Sequence, residues 1–238
     1  MKQIIIAILA IVAIIGGAVV LGKDKDTGGQ VSNYVYGKTD SGVVLEEFGD
    51  FECPACGAYY PIIEQVKEKY KDKIAFQFHH NPLVQIHRNA LAAHRAAEAA
   101  GKQGKFWEMY TELYSNQEEW NGPSQADPVG VTTEIAIGIF EGYAAKIGLD
   151  VEKYKADVQD TSTLSTINAD IALGKSKYEV TGTPTFVLNG EKFEDLSSLQ
   201  TLEQFSERID AALGENTNSN DSTPSETSTA PKEEETAQ

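Results

Sequence analysis

The residues best suited to chemistry in this sequence are its two cysteines, Cys53 and Cys56, which enclose a Pro-Ala dipeptide. They follow a Val-rich apolar stretch and precede a run of helical periodicity, so they stand where a strand passes into a helix. In that position Cys53 is predicted to cap the helix and Pro54 to occupy its first position, where a missing N–H has no cost. Cys56 then lies one turn further along the same face, close enough to Cys53 to form a disulfide.

The start of a helix favours a cysteine thiolate, because unpaired backbone N–H groups and the helix dipole present positive charge there. A stabilised Cys53 thiolate favours the reduced form of the pair and so makes the disulfide a stronger oxidant. A structural disulfide is the weaker interpretation, since a bond across two residues constrains little of the unfolded chain. A metal site needs more ligands than the cysteines offer, and we expect surface or packing roles for the histidines His79, His80, His87 and His94.

A strand, a helix and a second strand are predicted around the cysteine pair. Residues 42–50 and 74–78 indicate the two strands, and the helix between them makes a parallel βαβ unit. Pro61 lies inside that helix and is predicted to kink it or to begin its second half.

The rest of the folded part is predicted as a helical block followed by strands and a last helix. Helices are indicated at residues 87–114, broken at Gly101 and Gly104, and at 132–147 and 151–177, with a loop at 121–131 and a C-cap near Gly148. Residues 180–190 are predicted as a strand, and a hairpin turn at Asn189-Gly190 leads into a second strand at 191–193. An amphipathic helix over residues 196–213 follows.

Three segments resemble, in order, blocks of the DsbA-like branch of the thioredoxin family: FGDFECPACGAYYP, NPLVQIHRNALAAHRAAEAAGKQGKFWEMYTELY and VTGTPTFVLNG. The resemblance covers residues 34–213. It implies an α/β protein with the thioredoxin fold and a DsbA-type helical insertion at about residues 83–178. It also implies an enzyme, a protein-disulfide oxidoreductase, and we expect neither a cofactor nor a metal.

The resemblance implies roles for five residues. Cys53 resembles the family's nucleophile, and Cys56 resembles its resolving cysteine. Pro184 matches the family's cis-proline, and Thr183 matches the residue before it, whose backbone faces the disulfide and pairs with substrate. Glu47 lies six residues before Cys53, where the family has a buried acid that assists proton movement to Cys56. Without the cysteine motif, the Thr-Pro pair would indicate an ordinary turn. The alternative for the acid is that Glu46 or Glu47 marks a solvated strand end.

We expect an extracytoplasmic oxidase that transfers its disulfide to unfolded or reduced exported proteins. A quinone-linked membrane oxidase resembling DsbB or vitamin K epoxide reductase is the expected partner for reoxidation. Strongly oxidising members of the family tend to carry His in the dipeptide, where this sequence has Ala55, so the direction of electron flow stays open. The alternatives are a membrane-tethered reductase or isomerase of the same fold, and a non-catalytic surface stalk protein.

The two ends of the chain differ in composition from the folded part. Residues 1–22 are predicted as a retained signal-anchor helix, because positions 4–21 are apolar and uncharged over a length that can span a bilayer. Residues 23–32 are a predicted linker, 33–214 the DsbA-like domain, and 215–238 a disordered acidic tail rich in Ser and Thr.

Charge and cysteine chemistry set the expected environment. A formal net charge of -16 argues against a nucleic-acid partner, since phosphates would be repelled. Lys2 lies before the predicted anchor, while Lys23 and Lys25 follow it, so the positive-inside rule does not favour export of the domain. The cysteine chemistry places the catalytic domain outside the cytoplasm instead. We therefore expect a monomer attached to the cell membrane by a single pass.

Overall fold

The computed structural model describes residues 29–122 and 129–219. The predicted anchor (1–22), most of the linker and residues 220–238 of the predicted tail lie outside the described residues. The elements are β1 (Val35–Gly37), β2 (Val44–Gly49), α1 (Pro54–Tyr70), β3 (Ala75–His80), α2 (Ala90–Gly101), α3 (Phe106–Ser115), α4 (Gln117–Trp120), α5 (Thr133–Lys146), α6 (Val151–Gln159), α7 (Thr161–Lys177), β4 (Thr185–Leu188), β5 (Glu191–Lys192), a 3-10 turn (Leu196–Ser198) and α8 (Leu202–Ser219). This order confirms the predicted βαβ unit, helical block and closing ββα unit.

The sheet places β2 at its centre, in the order β1-β3-β2-β4-β5. β2 and β3 are parallel, as expected for a βαβ unit, and the other neighbouring strands are antiparallel. Leu45 and Phe48 of β2 are fully buried, because β2 has a neighbouring strand at each edge and α1 and α7 pack on its faces at these residues. The cysteine segment therefore follows the carboxyl end of the central strand of the sheet.

Two large hydrophobic cores flank the sheet, beside a small cluster of Phe48, Tyr178 and Val187. One packs α1 and α8 against the strands through Ile63, Val66, Phe186, Phe205 and Ile209. The other joins the sheet to the helical insertion through aromatic residues of α3 and the alanines of α2, which are Ala93, Ala96, Ala97, Ala99 and Ala100. The small side chains of α2 let its neighbours α3, α5 and α6 approach closely.

The structure corrects four of the predicted element boundaries. The predicted helix 151–177 is two helices, because Asp160 has an extended conformation and its carboxylate accepts the Ser162 N–H, which caps α7. Within residues 180–190 only 185–188 form a strand. α1 continues through Pro61 without interruption from Pro54 to Tyr70. The last helix begins later than predicted and ends at Ser219, five residues beyond the expected domain boundary.

No helix in residues 29–122 or 129–219 is long and apolar enough to cross a membrane.

Candidate dithiol site

Cys53 and Cys56 lie at the start of α1, as predicted. Cys53 is the N-cap residue, with extended backbone angles of φ -69 and ψ 123, and Pro54 follows at the first helical position. A turn between β2 and α1, closed by the Cys53 N–H donating to the Asp50 carbonyl at 3.1 Å, directs the chain into the helix. Both cysteines are free thiols, and their exposed fractions are 6% for Cys53 and 1% for Cys56. The pair therefore has one sulfur close to the surface and one enclosed.

The two sulfurs differ in acidity. The pKa of Cys53 is lowered to about 5, mainly by a hydrogen bond from Cys56, with help from Thr183 and from the backbone N–H groups of Cys56 and Ala55. These interactions outweigh the desolvation of Cys53, which acts in the opposite direction. Burial raises the pKa of Cys56 well above its usual value. At neutral pH the reduced pair thus holds a thiolate at Cys53 and a thiol at Cys56.

Thr183 and Pro184 lie beside Cys53, although they are far from it in sequence. β4 runs antiparallel to β2 with Thr185 opposite Phe48, so the residues before Thr185 reach the end of β2 where α1 begins. The Thr183–Pro184 peptide bond is cis, and the Thr183 carbonyl oxygen lies 3.5 Å from Cys53 Sγ. The structure thus brings both predicted residues to the nucleophilic sulfur.

An open cleft of about 300 Å³ adjoins this loop and is lined by residues including Thr183, Pro184 and Phe193. Thr183 therefore borders both the cleft and the sulfur, and its side chain helps to lower the pKa of Cys53.

Glu47 lies in the interior below the cysteines, with an exposed fraction of 1%. Burial raises its pKa to about 8, while the Lys67 ammonium and a hydrogen bond from the Tyr110 hydroxyl, at 3.4 Å, act in the opposite direction. The charge of Glu47 also raises the pKa of Cys56, so the two groups interact electrostatically. The alternative of a solvated strand end is wrong for Glu47.

Asp50 is one of two residues at this site that the sequence did not indicate. Its backbone N–H donates to Cys56 Sγ at 3.5 Å, and its carbonyl accepts the Cys53 N–H. Its carboxylate is fully buried and accepts hydrogen bonds from His87 Nδ1 at 2.7 Å and from the Leu83 N–H at 2.8 Å. Although burial opposes its ionisation, these donors hold the pKa of Asp50 well below its usual range. The position of Asp50 at the end of a buried strand was the available signal.

Gln117 of α4 is a second residue that no sequence signal indicated. Its side-chain amide donates to the carbonyl oxygens of Phe51 at 2.7 Å and Cys53 at 3.0 Å. The helical insertion thereby fixes the backbone of the cysteine segment, because two of its carbonyl groups are held by one side chain.

Three of the histidines, His79, His80 and His94, are buried and hydrogen-bonded, so of the expected surface or packing roles they have packing roles. His80 and His94 face each other with 2.6 Å between their Nδ1 atoms, and His80 Nε2 lies 2.9 Å from a carboxylate oxygen of Glu98. Burial lowers the pKa of His94 to about 4. His79 lies between Glu46 and Asp170. In the described part of the chain, no group of three or more His, Cys, Asp or Glu residues has the geometry of a metal site.

The sheet order, the cysteine pair at the start of α1 and the helices described between β3 and β4 define a thioredoxin fold with a DsbA-type insertion. The family model described as Thioredoxin matches residues 30–211. The probable disulfide bond formation protein D of Bacillus cereus is 31% identical over 196 residues, which are 78% of this chain and 84% of that protein. The chain therefore belongs to the thioredoxin family.

Other relatives share a domain or the fold with this chain. The Na⁺/H⁺ antiporter NhaA 1 of Salinispora arenicola is 32% identical over 170 residues, covering 71% of this chain. This chain spans only 24% of that antiporter's length. Oxidised BdbD from Bacillus subtilis has a TM-score of 0.61 at 22% identity and covers 79% of this chain and 97% of its own. For alpha-DsbA1 from Wolbachia pipientis the TM-score is 0.64 at 19% identity, with coverage of 79% and 94%.

Proposed function

We propose that this protein is an extracytoplasmic disulfide oxidase, which transfers a Cys53–Cys56 disulfide to cysteine pairs of exported proteins. The observation that carries the proposal is the difference in acidity between the two sulfurs. A Cys53 thiolate with a pKa of about 5 stabilises the reduced pair at neutral pH, and this favours electron flow from substrate to enzyme.

The reaction begins when a substrate thiolate attacks Cys53 Sγ in the disulfide. A bond forms between the substrate sulfur and Cys53, and the Cys53–Cys56 bond breaks with its electron pair on Cys56, which takes up a proton. A second substrate thiolate then attacks the substrate sulfur of the mixed disulfide, and Cys53 leaves as a thiolate. Two electrons have passed to the enzyme, and the substrate has gained one disulfide. In the reverse step Cys56 attacks Cys53 Sγ and releases the substrate, which is its role as the resolving cysteine.

Glu47 acts in this proposal as the group that supplies the proton to Cys56. With a pKa of about 8 it is protonated at neutral pH, and it interacts electrostatically with the cysteine that must be protonated. During reoxidation the same carboxylate takes the proton back.

Thr183 and Pro184 form the proposed binding position for the substrate segment that carries the cysteine. An extended substrate strand can pair with the Thr183 backbone beside Cys53. Backbone pairing is independent of substrate sequence, which suits an enzyme that acts on many unfolded proteins.

We also propose that the chain is attached to the membrane through residues 1–22 with its domain outside the cytoplasm. A quinone-linked membrane oxidase resembling DsbB or vitamin K epoxide reductase would reoxidise the pair, since the protein has no further cysteine to do so. Deleting such a partner should leave both cysteines reduced in intact cells, as measured by thiol labelling. Cysteines that stay oxidised after its deletion would remove this part of the proposal.

The direct test of the enzymatic proposal uses a reduced, unfolded substrate protein. Oxidised wild-type protein should introduce disulfides into it, and Cys53→Ala should have no such activity. Cys56→Ala should instead accumulate mixed disulfides with substrate proteins, because no resolving cysteine remains. Full activity of the Cys53→Ala variant would refute the proposal.

A reductase is the second candidate, because Ala55 gives the Cys53 thiolate neither a charge nor a side-chain hydrogen bond. A reductase would be found reduced in the cell, and its cysteine pair would have a low potential. The measured potential therefore distinguishes the two candidates.

A further inference from the structure

A histidine from the loop after β3 is held at the cysteine segment by a buried carboxylate. His87 Nδ1 lies 2.7 Å from Asp50 Oδ2, and the His87 side chain is 15% exposed while that of Asp50 is fully buried. Asp50 contacts both cysteines through its backbone, with its N–H on Cys56 Sγ and its carbonyl on the Cys53 N–H. One residue thus links the imidazole of His87 to the backbone around both sulfurs.

Other bonds hold the Asp50 carboxylate in place. Besides His87, it accepts the backbone N–H groups of Leu83 at 2.8 Å and Glu52 at 2.9 Å. An ionised carboxylate in the interior needs a positive counterpart, and His87 is the donor that can carry a charge. This hydrogen bond, first among several causes, raises the pKa of His87 above its ordinary value. The imidazole is therefore protonated over more of the neutral range than a free histidine.

The groups facing His87 determine what its charge can do. They are Asp50, Glu52 and Cys53, and each favours the protonated imidazole. His94 approaches Asp50 from α2 at 3.8 Å, but with its pKa lowered to about 4 it is neutral at pH 7. The charge of His87 thus interacts with that of the Cys53 thiolate through space, and Asp50 joins the two residues by hydrogen bonds. The dipeptide between the cysteines contributes no charged side chain.

We propose that His87, held by Asp50, is a positioning residue whose positive charge stabilises the Cys53 thiolate and thereby sets how strongly the dithiol oxidises its substrates. The inference rests on the proposed function, since it concerns the same cysteine pair. It adds a pH-dependent element: the stabilisation is present while His87 is protonated and is lost as the pH rises through its pKa. It is also lost below about pH 5, where Cys53 itself becomes a thiol.

The wild-type protein provides the first test. Coupling between two charges is reciprocal, so the thiolate must raise the pKa of His87 as much as His87 lowers that of Cys53. An NMR titration should therefore give a higher His87 pKa in the reduced protein than in the oxidised protein. His79, which lies between Glu46 and Asp170, is the internal control and should titrate alike in both forms. Equal values for His87 in the two forms would overturn the proposal.

The second test compares His87→Asn with His79→Asn in an equilibrium with glutathione. In that reaction the protein disulfide and two glutathione thiols give the dithiol and one glutathione disulfide. At pH 7 His87→Asn should lower this equilibrium constant about tenfold, the effect of a rise of about one unit in the pKa of Cys53. The difference from wild type should shrink above the His87 pKa and again near pH 5, whereas His79→Asn should match wild type throughout.

The two proposals fail in different ways. A difference that does not vary with pH, or an unchanged constant in His87→Asn, would contradict the role of His87 while leaving the oxidase intact. If wild-type protein cannot oxidise a reduced substrate at all, the proposed function fails, although the NMR titration can still detect the coupling.

Discussion

At the scale of single residues, the reactivity of this protein depends on unequal environments for two identical side chains. Cys53 caps a helix and receives hydrogen bonds that favour its thiolate, whereas Cys56 lies one turn further in and is desolvated. The sequence indicated this difference, because the position of a cysteine before Pro54 at a helix start is a local property. Asp50 and His87 were missed, because they are 37 positions apart and only the folded chain brings them together.

The hydrogen bond from Cys56 should account for much of the low pKa of Cys53. In Cys56→Ala, the midpoint for alkylation of Cys53 by iodoacetamide should move from about 5 towards the value of an ordinary cysteine. Cys56→Ser retains a hydroxyl donor and should keep a midpoint closer to wild type. An unchanged midpoint in the alanine variant would assign the shift to the helix terminus instead.

Glu47→Gln should raise the stability of the folded protein while lowering its activity. Wild-type Glu47 ionises in the unfolded chain near pH 4.5 but in the folded chain only near 8, so the folded form loses stability as pH rises between these values. The glutamine variant lacks this loss. Its free energy of unfolding relative to that of wild type should therefore rise by about 1.4 kcal/mol per pH unit across that window, as measured by urea unfolding.

The same variant should reduce the oxidised enzyme's reaction with substrate thiols by about 10²-fold at neutral pH, because the proton donor is gone. That deficit should disappear above about pH 8, where wild-type Glu47 is also ionised. Glu46→Gln is the matched control: the neighbouring carboxylate bonds His79 and Tyr178 rather than facing the cysteines. A deficit that is equal in both variants would argue against proton transfer by Glu47.

At the scale of elements, hydrophobic periodicity predicted most of the helices and strands but missed the shortest ones and the ends of some others. β1 was missed because three residues cannot display a period, and its pairing with β3 depends on the tertiary structure. The break at Asp160 was missed because a short polar segment between two helices differs little from an exposed helix face. The insertion was predicted as helical, but its bond from Gln117 to the cysteine segment needed the structure.

Close packing of α7 on β2 can be tested at Gly174. A Cβ atom there would lie 2.9 Å from two ring atoms of Phe48, which is fully buried. Gly174→Ala should therefore lower the free energy of unfolding by about 1–3 kcal/mol, despite the better helix propensity of alanine. Gly142→Ala in α5 is the control, since nothing lies within 4 Å of its added Cβ, and it should be neutral or stabilising in denaturant unfolding. Equal stability of the two variants would contradict this packing.

At the scale of the whole molecule, the fold joins three segments distant in sequence around the cysteine pair. The end of β2 leads to Cys53, the approach to β4 supplies Thr183, and the loop after β3 supplies His87, which bonds the Asp50 carboxylate. The first two could be predicted because their motifs are local and resemble family blocks. The role of His87 could not be predicted, since the sequence does not show which carboxylate a polar loop residue contacts in the folded protein.

The redox potential of the Cys53–Cys56 pair tests the central claim most directly. Wild-type protein equilibrated at pH 7 in glutathione buffers of graded ratio would be trapped by thiol labelling to count oxidised and reduced forms. For an oxidase whose thiolate is stabilised at Cys53, we expect a potential at or above about −180 mV, the range of disulfide-forming enzymes. A value at or below about −270 mV, that of thioredoxin, would identify a reductase and contradict the proposed direction of electron flow.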